Sequence, residues 1–373
     1  MPMIAPPSDP ETVKKYFLRS PYREFIETEG IPIYEEYSVH CPDLELAPWP
    51  RLGGNGAYVH LTGRSDYLNA YVHEIPAGQQ TEVEKHMFEK LIYVVSGRGA
   101  TSIELPSGKK HTFEWGEGSA FGIPLNAKHQ HFNGSGTEAA RFAAVTTLPI
   151  VVGMYHNVDF VFENPFEFPE RYGEDRYFAG EGEFRALKPG RHQWETNFVP
   201  DMRSFELPAW EARGAGGNNI NFVFADGVMH SHISEFDSGL YKKAHFHNAG
   251  ANIILVSGHG YSLLWKHGDD PLNTVRVDWK PGSLYAPPDG PTYHQHFNTS
   301  KVPARYLVFG PFGSRRYNIL ESWTAMREGA DVSSKEGGIQ VEYQDEDPRI
   351  LELFEQECAK VGTECRMRAY LKR

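Results

Sequence analysis

Short apolar and β-branched runs recur along most of the chain, each closed by Gly, Pro or Asn. In the first half they are Ala57–Leu61, Leu91–Val95, Ser102–Leu105 and Arg141–Thr147; in the second, Ile220–Phe224, Asn252–Val256, Tyr261–Trp265, Val275–Trp279 and Arg305–Phe309. Runs this short, with turn formers between them, predict an all-β sandwich or barrel. The two ends read differently. Glu11 to Gly30 and Pro348 to Arg373 carry helix-compatible spacing, the latter with Ile350, Leu351, Leu353 and Phe354 on one side. Tyr155 to Arg213, rich in Phe, Pro, Glu and Gly, follows neither period and is expected to be an arm packed on the β units by its aromatics.

The runs fall into two copies of one pattern. Tyr93-Val-Val-Ser-Gly-Arg-Gly99 corresponds to Ile254-Leu-Val-Ser-Gly-His-Gly260 at an offset of 161 residues, Trp115-Gly-Glu-Gly-Ser to Trp279-Lys-Pro-Gly-Ser at 164, and His129-Gln-His-Phe-Asn133 to His294-Gln-His-Phe-Asn298 at 165. Order is kept and the drift is small, as a duplicated domain with a loop insertion requires. The expected organisation is an N-terminal arm over 1–50, a first barrel over 51–150, a connector over 151–215, a second barrel over 216–320, and a C-terminal arm and helix over 321–373.

Composition narrows the function. The chain has 373 residues, 40% of them hydrophobic, enough for two cores. Its formal charge of −12 would repel a phosphate backbone, so nucleic acid is excluded as a partner. Cys41, Cys358 and Cys365 show no CxxC spacing and read as reduced thiols. Met1 to Pro10 lacks the basic start and apolar run of a signal peptide, and no stretch approaches ~18 consecutive apolar residues. The expectation is a cytoplasmic protein with no membrane partner, able to form a homo-oligomer through its arm and connector.

The chemistry lies in the second copy. It reads Gly239-Leu-Tyr-Lys-Lys-Ala-His245-Phe-His247 followed by Gly258, then Gly282, Pro288, Gly290, His294 and Asn298. Residues at i and i+2 share a strand face, so His245 and His247 would both point into a barrel. These residues resemble the two motifs of the cupin superfamily, G(X)5HXH with an acid and a glycine after it, and G(X)5PXG(X)2H(X)3N, with one extra residue here before His294. The resemblance implies two tandem cupin barrels, each a double-stranded β-helix or jelly roll, and a metal held by His245, His247 and His294. Where most cupins carry a glutamate ligand this chain has Ala251. The resulting three-histidine set is similar to that of gentisate and salicylate 1,2-dioxygenases, which are also bicupins, although the gentisate enzymes work in their N-terminal barrel.

In the first copy the corresponding positions are Glu84, His86, Lys90 and His129. The Lys90 ammonium would compete with a cation, so this barrel is expected to be structural, with a weaker metal site at Glu84, His86 and His129 as the alternative. Around the second-copy ligands His232, Tyr241, Asn252, Tyr285, His296 and Arg305 are the pocket candidates. Tyr261, Trp265, Tyr293 and Gln295 could join them, Lys243 is a further candidate for a substrate carboxylate, and His230 accompanies His232. For the histidines the competing role is holding the ligands in place by hydrogen bonds.

The resemblance implies a non-heme Fe(II)-dependent dioxygenase that cleaves a small aromatic or enolisable hydroxy acid, with dioxygen and substrate in the free coordination positions. Imidazole also binds Mn, Ni or Zn, which leaves a non-redox isomerase, decarboxylase or lyase as the alternative. A non-enzymatic ligand-binding bicupin is the third reading.

Overall fold

The computed structural model describes residues 11, 19–64, 66–188, 190–246, 250–288, 290–313, 316–317, 319 and 331–371. His247 therefore lies outside the described residues, as do residues 12–18 of the N-terminal segment expected to be helical; further along that segment Pro21–Thr28 is a helix, capped by Ser20.

The apolar run Asn252–Ser257 shows how the sequence builds the fold. Its odd-numbered Ile253 and Leu255 join one core cluster, with Tyr261, Phe297 and Phe354. Its even-numbered Ile254 and Val256 join another, with Val72, Leu91, Phe222 and Leu307. Both faces of the strand are buried, which is why it reads as a continuous apolar run and not as an alternating one. Lys90–Ser96 does the same in the first copy, sending Ile92 and Val94 to a third cluster and Leu91 and Tyr93 to the shared one.

Each copy consequently has a large sheet facing a small one. In the first, Asn55–Val59, Asn69–Ile75, Ala140–Thr146, Lys90–Ser96 and Ala120–Ile123 neighbour one another in that order. Opposite them stand His129–Asn133, Arg98–Glu104 and Lys110–Gly116. The second copy repeats the pattern with Gly217–Phe224, His230–Phe236, Ala304–Gly310, Asn252–Ser257 and Ser283–Tyr285 facing Thr292–Asn298, Gly260–Lys266 and Val275–Trp279. Successive strands pass back and forth between the two sheets. That winding is the jelly roll, and the molecule is two tandem cupin-type barrels with short terminal helices.

The repeated Ser-Gly-X-Gly has a steric cause. Gly97 and Gly258 turn with φ +80° and +77°, and a Cβ on either would lie 2.7 and 2.8 Å from the Cα of Ala140 and Ala304 respectively. Only glycine combines that backbone with that approach.

Two short strands tie the barrels together. Ser38–His40, from the N-terminal arm, pairs with Ser283–Tyr285 of the second barrel, and Phe198–Val199, from the connector, pairs with Ala120–Ile123 of the first. The connector is more regular than its composition predicts. It holds the helices Leu148–Tyr155 and Val158–Phe162 and a hairpin of Glu183–Lys188 with Arg191–Thr196, which extends the second barrel's sheet through Gly217–Phe224. At the C-terminus Pro348–Val361 is helical and buries Ile350, Phe354 and Cys358. Among the described residues no helix is long and apolar enough to cross a membrane.

Candidate metal and substrate site

In both barrels the histidine-bearing segment crosses the small sheet with one extra residue. Tyr241 lies opposite Phe297, but His245 lies opposite His294; likewise Gln80 faces Phe132 and Glu84 faces His129. The pairing slips by one between the two bridges, as in a β-bulge, and the bulge resets which side the side chains face. Lys242 and His245 thus both reach the interior of the second barrel.

That interior is a cavity of about 90 Å³, and His230, His232, His245, His294 and His296 all line it. His245 Nδ1–H donates to the Lys243 carbonyl at 3.1 Å, which leaves Nε2 of the neutral ring as the nitrogen able to bind a cation. The His245 and His294 rings lie 4.3 Å apart between centroids. Behind His296 a chain of hydrogen bonds fixes the ring: Trp279 Nε1 donates to Ser262 Oγ at 3.0 Å, and Ser262 Oγ and the Tyr285 hydroxyl meet His296 Nδ1 at 2.8 and 3.0 Å. His230 Nε2 and His232 Nδ1 are hydrogen-bonded to each other at 2.7 Å.

The cavity brings in cations from outside the barrel motifs. Arg191, from the connector hairpin, and Arg213 line it together with Lys242. Asp331 orients both guanidinium groups, accepting from Arg191 Nη2 and Arg213 Nε at 2.6 Å each, while Arg191 also stacks on Trp210 at 3.7 Å. Burial pushes the Lys242 ammonium down to about 7, with Arg213 adding to the effect and Glu235 opposing it. Neither Arg191 nor Arg213 could be found by periodicity, since they sit in the segment that has none. Lys242 was hidden by the bulge, because simple alternation from His245 selects Lys243 instead.

Of the pocket candidates, His232 and His296 face the cavity, beside Ala251. Tyr241, Asn252, Tyr285 and Arg305 are not among its lining residues. Tyr241 packs on Phe297 and Phe354 and its hydroxyl bonds to Glu346. Tyr285 supports His296 from behind, and Asn252 is buried with neither amide atom hydrogen-bonded. Arg305 is a structural tie: it pairs with Glu235 at 2.7 Å and donates to the carbonyls of Met202 and Phe205 at 2.8 and 3.0 Å. Lys243 pairs with Glu342 at 2.6 Å. The motif's Asn298 closes a loop by donating to the Val302 carbonyl at 2.9 Å.

In the first barrel one ligand atom from each of Glu84, His86 and His129 lies within 4.8 Å of the others. Lys90 Nζ contacts Glu84 Oε2 at 2.8 Å in the same interior. Burial drives the Lys90 ammonium below its ordinary value, against the attraction of Glu84. Burial alone would raise the Glu84 carboxyl, but Lys90 and the surrounding imidazoles hold it well below the usual range.

No family model matches the sequence, and no curated protein matches it. Solved structures that resemble the chain include a single-residue variant of Bacillus subtilis oxalate decarboxylase, at 14% identity over 74% of this chain and 77% of that one, with a TM-score of 0.48. Another is the formate complex of Lactobacillus farciminis oxalate decarboxylase, at 13% identity over 74% and 87%, with a TM-score of 0.49.

Proposed function

We propose that the chain is a divalent-metal enzyme that takes a small carboxylate anion into the second barrel and acts on it by non-redox chemistry of the decarboxylase, lyase or isomerase type. The observation that carries this is one cavity lined both by His245 and His294 and by Arg191, Arg213 and Lys242. The imidazole donors of His245 and His294, both lining the cavity, suit a borderline dication such as Mn, Ni, Zn or Fe(II), which His245, His247 and His294 would hold. When bound, the metal supplies a Lewis acid that polarises a substrate oxygen.

The chain's own residues do the rest. Arg191 and Arg213, kept in place by Asp331, bind and orient the carboxylate, for which a guanidinium fork is well shaped. His232, bonded to His230, is the proton donor or acceptor facing the substrate. Size favours an aliphatic acid, because a cavity of about 150 Å³ is what holds a benzene ring, and this one is about 90 Å³.

The Fe(II) dioxygenase remains the second reading, on one observation: Ala251 lines the cavity where an acid would otherwise sit, so the donor set is neutral. The two part in a strictly anaerobic assay of a panel of small carboxylic acids with Mn- or Zn-loaded protein. Turnover without oxygen, abolished at least ~100-fold by His294→Ala, is the expected result. Turnover that requires oxygen and iron would give the reaction to the dioxygenase.

A further inference from the structure

Among the buried atoms of the first barrel that lack a hydrogen-bond partner, four belong to one cluster: Glu84 Oε1, His86 Nε2, His129 Nε2 and His131 Nε2. They converge. His129 Nε2 and His131 Nε2 lie 3.8 and 3.9 Å from Glu84 Oε1.

The ring orientations are imposed from behind. His86 Nδ1–H donates to the Phe88 carbonyl at 2.8 Å and His129 Nδ1–H to the Ala127 carbonyl at 2.9 Å. A carbonyl can only accept, so in the neutral rings both Nε2 atoms are lone pairs directed inward. His131 is held by Thr101, which also accepts from Trp115 Nε1 at 2.9 Å, matching the Trp279, Ser262 and His296 chain of the second barrel. This is the outer bracing that metal-binding imidazoles have.

Inside that shell of acceptors stands one positive charge. The Lys90 side chain is fully buried and its ammonium is ion-paired with Glu84 at 2.8 Å. In the repeat Lys90 corresponds to Ala251, which lines the second barrel's cavity. A dication placed among Glu84, His86 and His129 would lie beside this ammonium in a buried interior, where the low dielectric screens the repulsion poorly, and the single carboxylate could neutralise only one of the charges. Access is not the obstacle, since Glu84 also lines a surface depression beside Arg51, Val83 and Phe162.

We propose that the first barrel carries its own cation. The Lys90 ammonium occupies the place that Ala251 leaves open in the second barrel, and its removal opens a divalent-cation site built from Glu84, His86 and His129. The claim is independent of what the second barrel catalyses.

The test counts metal. Full-length protein carrying His294→Ala, which disables the second-barrel site, is incubated with Mn(II), dialysed and analysed for manganese per chain. It should hold none. Adding Lys90→Met, which keeps length and volume without the charge, should raise the content to one equivalent, and further adding Glu84→Gln should return it to none. Manganese retained by the His294→Ala protein and lost on Glu84→Gln would overturn the proposal, as would a folded Lys90→Met protein that binds none. Should Lys90→Met not fold, the His294→Ala protein decides alone: an empty first barrel supports the ammonium, a filled one refutes it. A wild-type chain that binds no metal in its second barrel would defeat the proposed function and leave this inference standing.

Discussion

Lys242 concentrates the residue-scale physics of the site. Its ammonium sits in the cavity wall between Arg213 and Glu235, with Arg191 and the histidines lining the same space, and burial lowers it to about 7. The unfolded lysine keeps its proton to about 10.4, so between these values the unfolded chain binds more protons and stability rises with pH. Below the folded value the buried charge destabilises in full. Lys242→Met should therefore be more stable than wild type at about pH 6, with the gap closing toward about pH 10, measurable by urea unfolding. Binding of small carboxylates to wild type should weaken as pH rises through about 7, because the ammonium is then lost. A stability gap independent of pH would show that Lys242 is not held this way. His245, Ala251, His294 and His296 could be picked out of the sequence because the repeat places them in register. Arg191, Arg213 and Asp331 could not, since what unites them is a salt bridge between segments far apart in the chain.

At the scale of elements, strands of the large sheets such as Asn252–Ser257 and Ala304–Gly310 were legible because burial on both faces writes a continuous apolar run. Lys110–Gly116 of a small sheet, with an exposed position between its buried Phe113 and Trp115, was not legible. The bulge before His245 was not, since one extra residue alters no composition and no run length. Nor was the hairpin at Glu183–Lys188 and Arg191–Thr196, whose polar residues form salt bridges such as Arg185 to Glu195 at 3.1 Å in place of an apolar face. One contact between elements deserves a direct measurement. Glu89, next to Lys90 in the first barrel, accepts from the backbone N–H groups of Val228 and Met229 at 2.8 Å each and from Arg171 at 2.5 Å. It therefore anchors the turn that starts the strand His230–Phe236, on which His230 and His232 stand. Glu89→Ala strands these donors and should destabilise the protein by about 2–4 kcal/mol, read by denaturant unfolding. A change near zero would mean water replaces the carboxylate without loss.

As a whole molecule the chain is two copies of one barrel set back to back on a shared core. The cluster containing Val72, Leu91, Phe222, Ile254 and Leu307 draws on both large sheets, and each barrel borrows an edge strand from outside its own repeat. The barrels should accordingly unfold together, in one calorimetric transition whose van't Hoff and calorimetric enthalpies agree. Two separable transitions would show the interface to be weaker than its burial implies. Duplication also explains why the copies differ in chemistry while sharing geometry: the Trp–hydroxyl–His brace and the bulge survive in both, and the interior residues at the ion's position diverge to Lys90 and Ala251. Where a cation binds decides the chemistry of both barrels. The most direct measurement is anomalous diffraction from crystals of manganese-loaded wild-type protein. A single peak within bonding distance of His245 and His294 is the predicted result; an empty second barrel, or a peak confined to Glu84, His86 and His129, would contradict it.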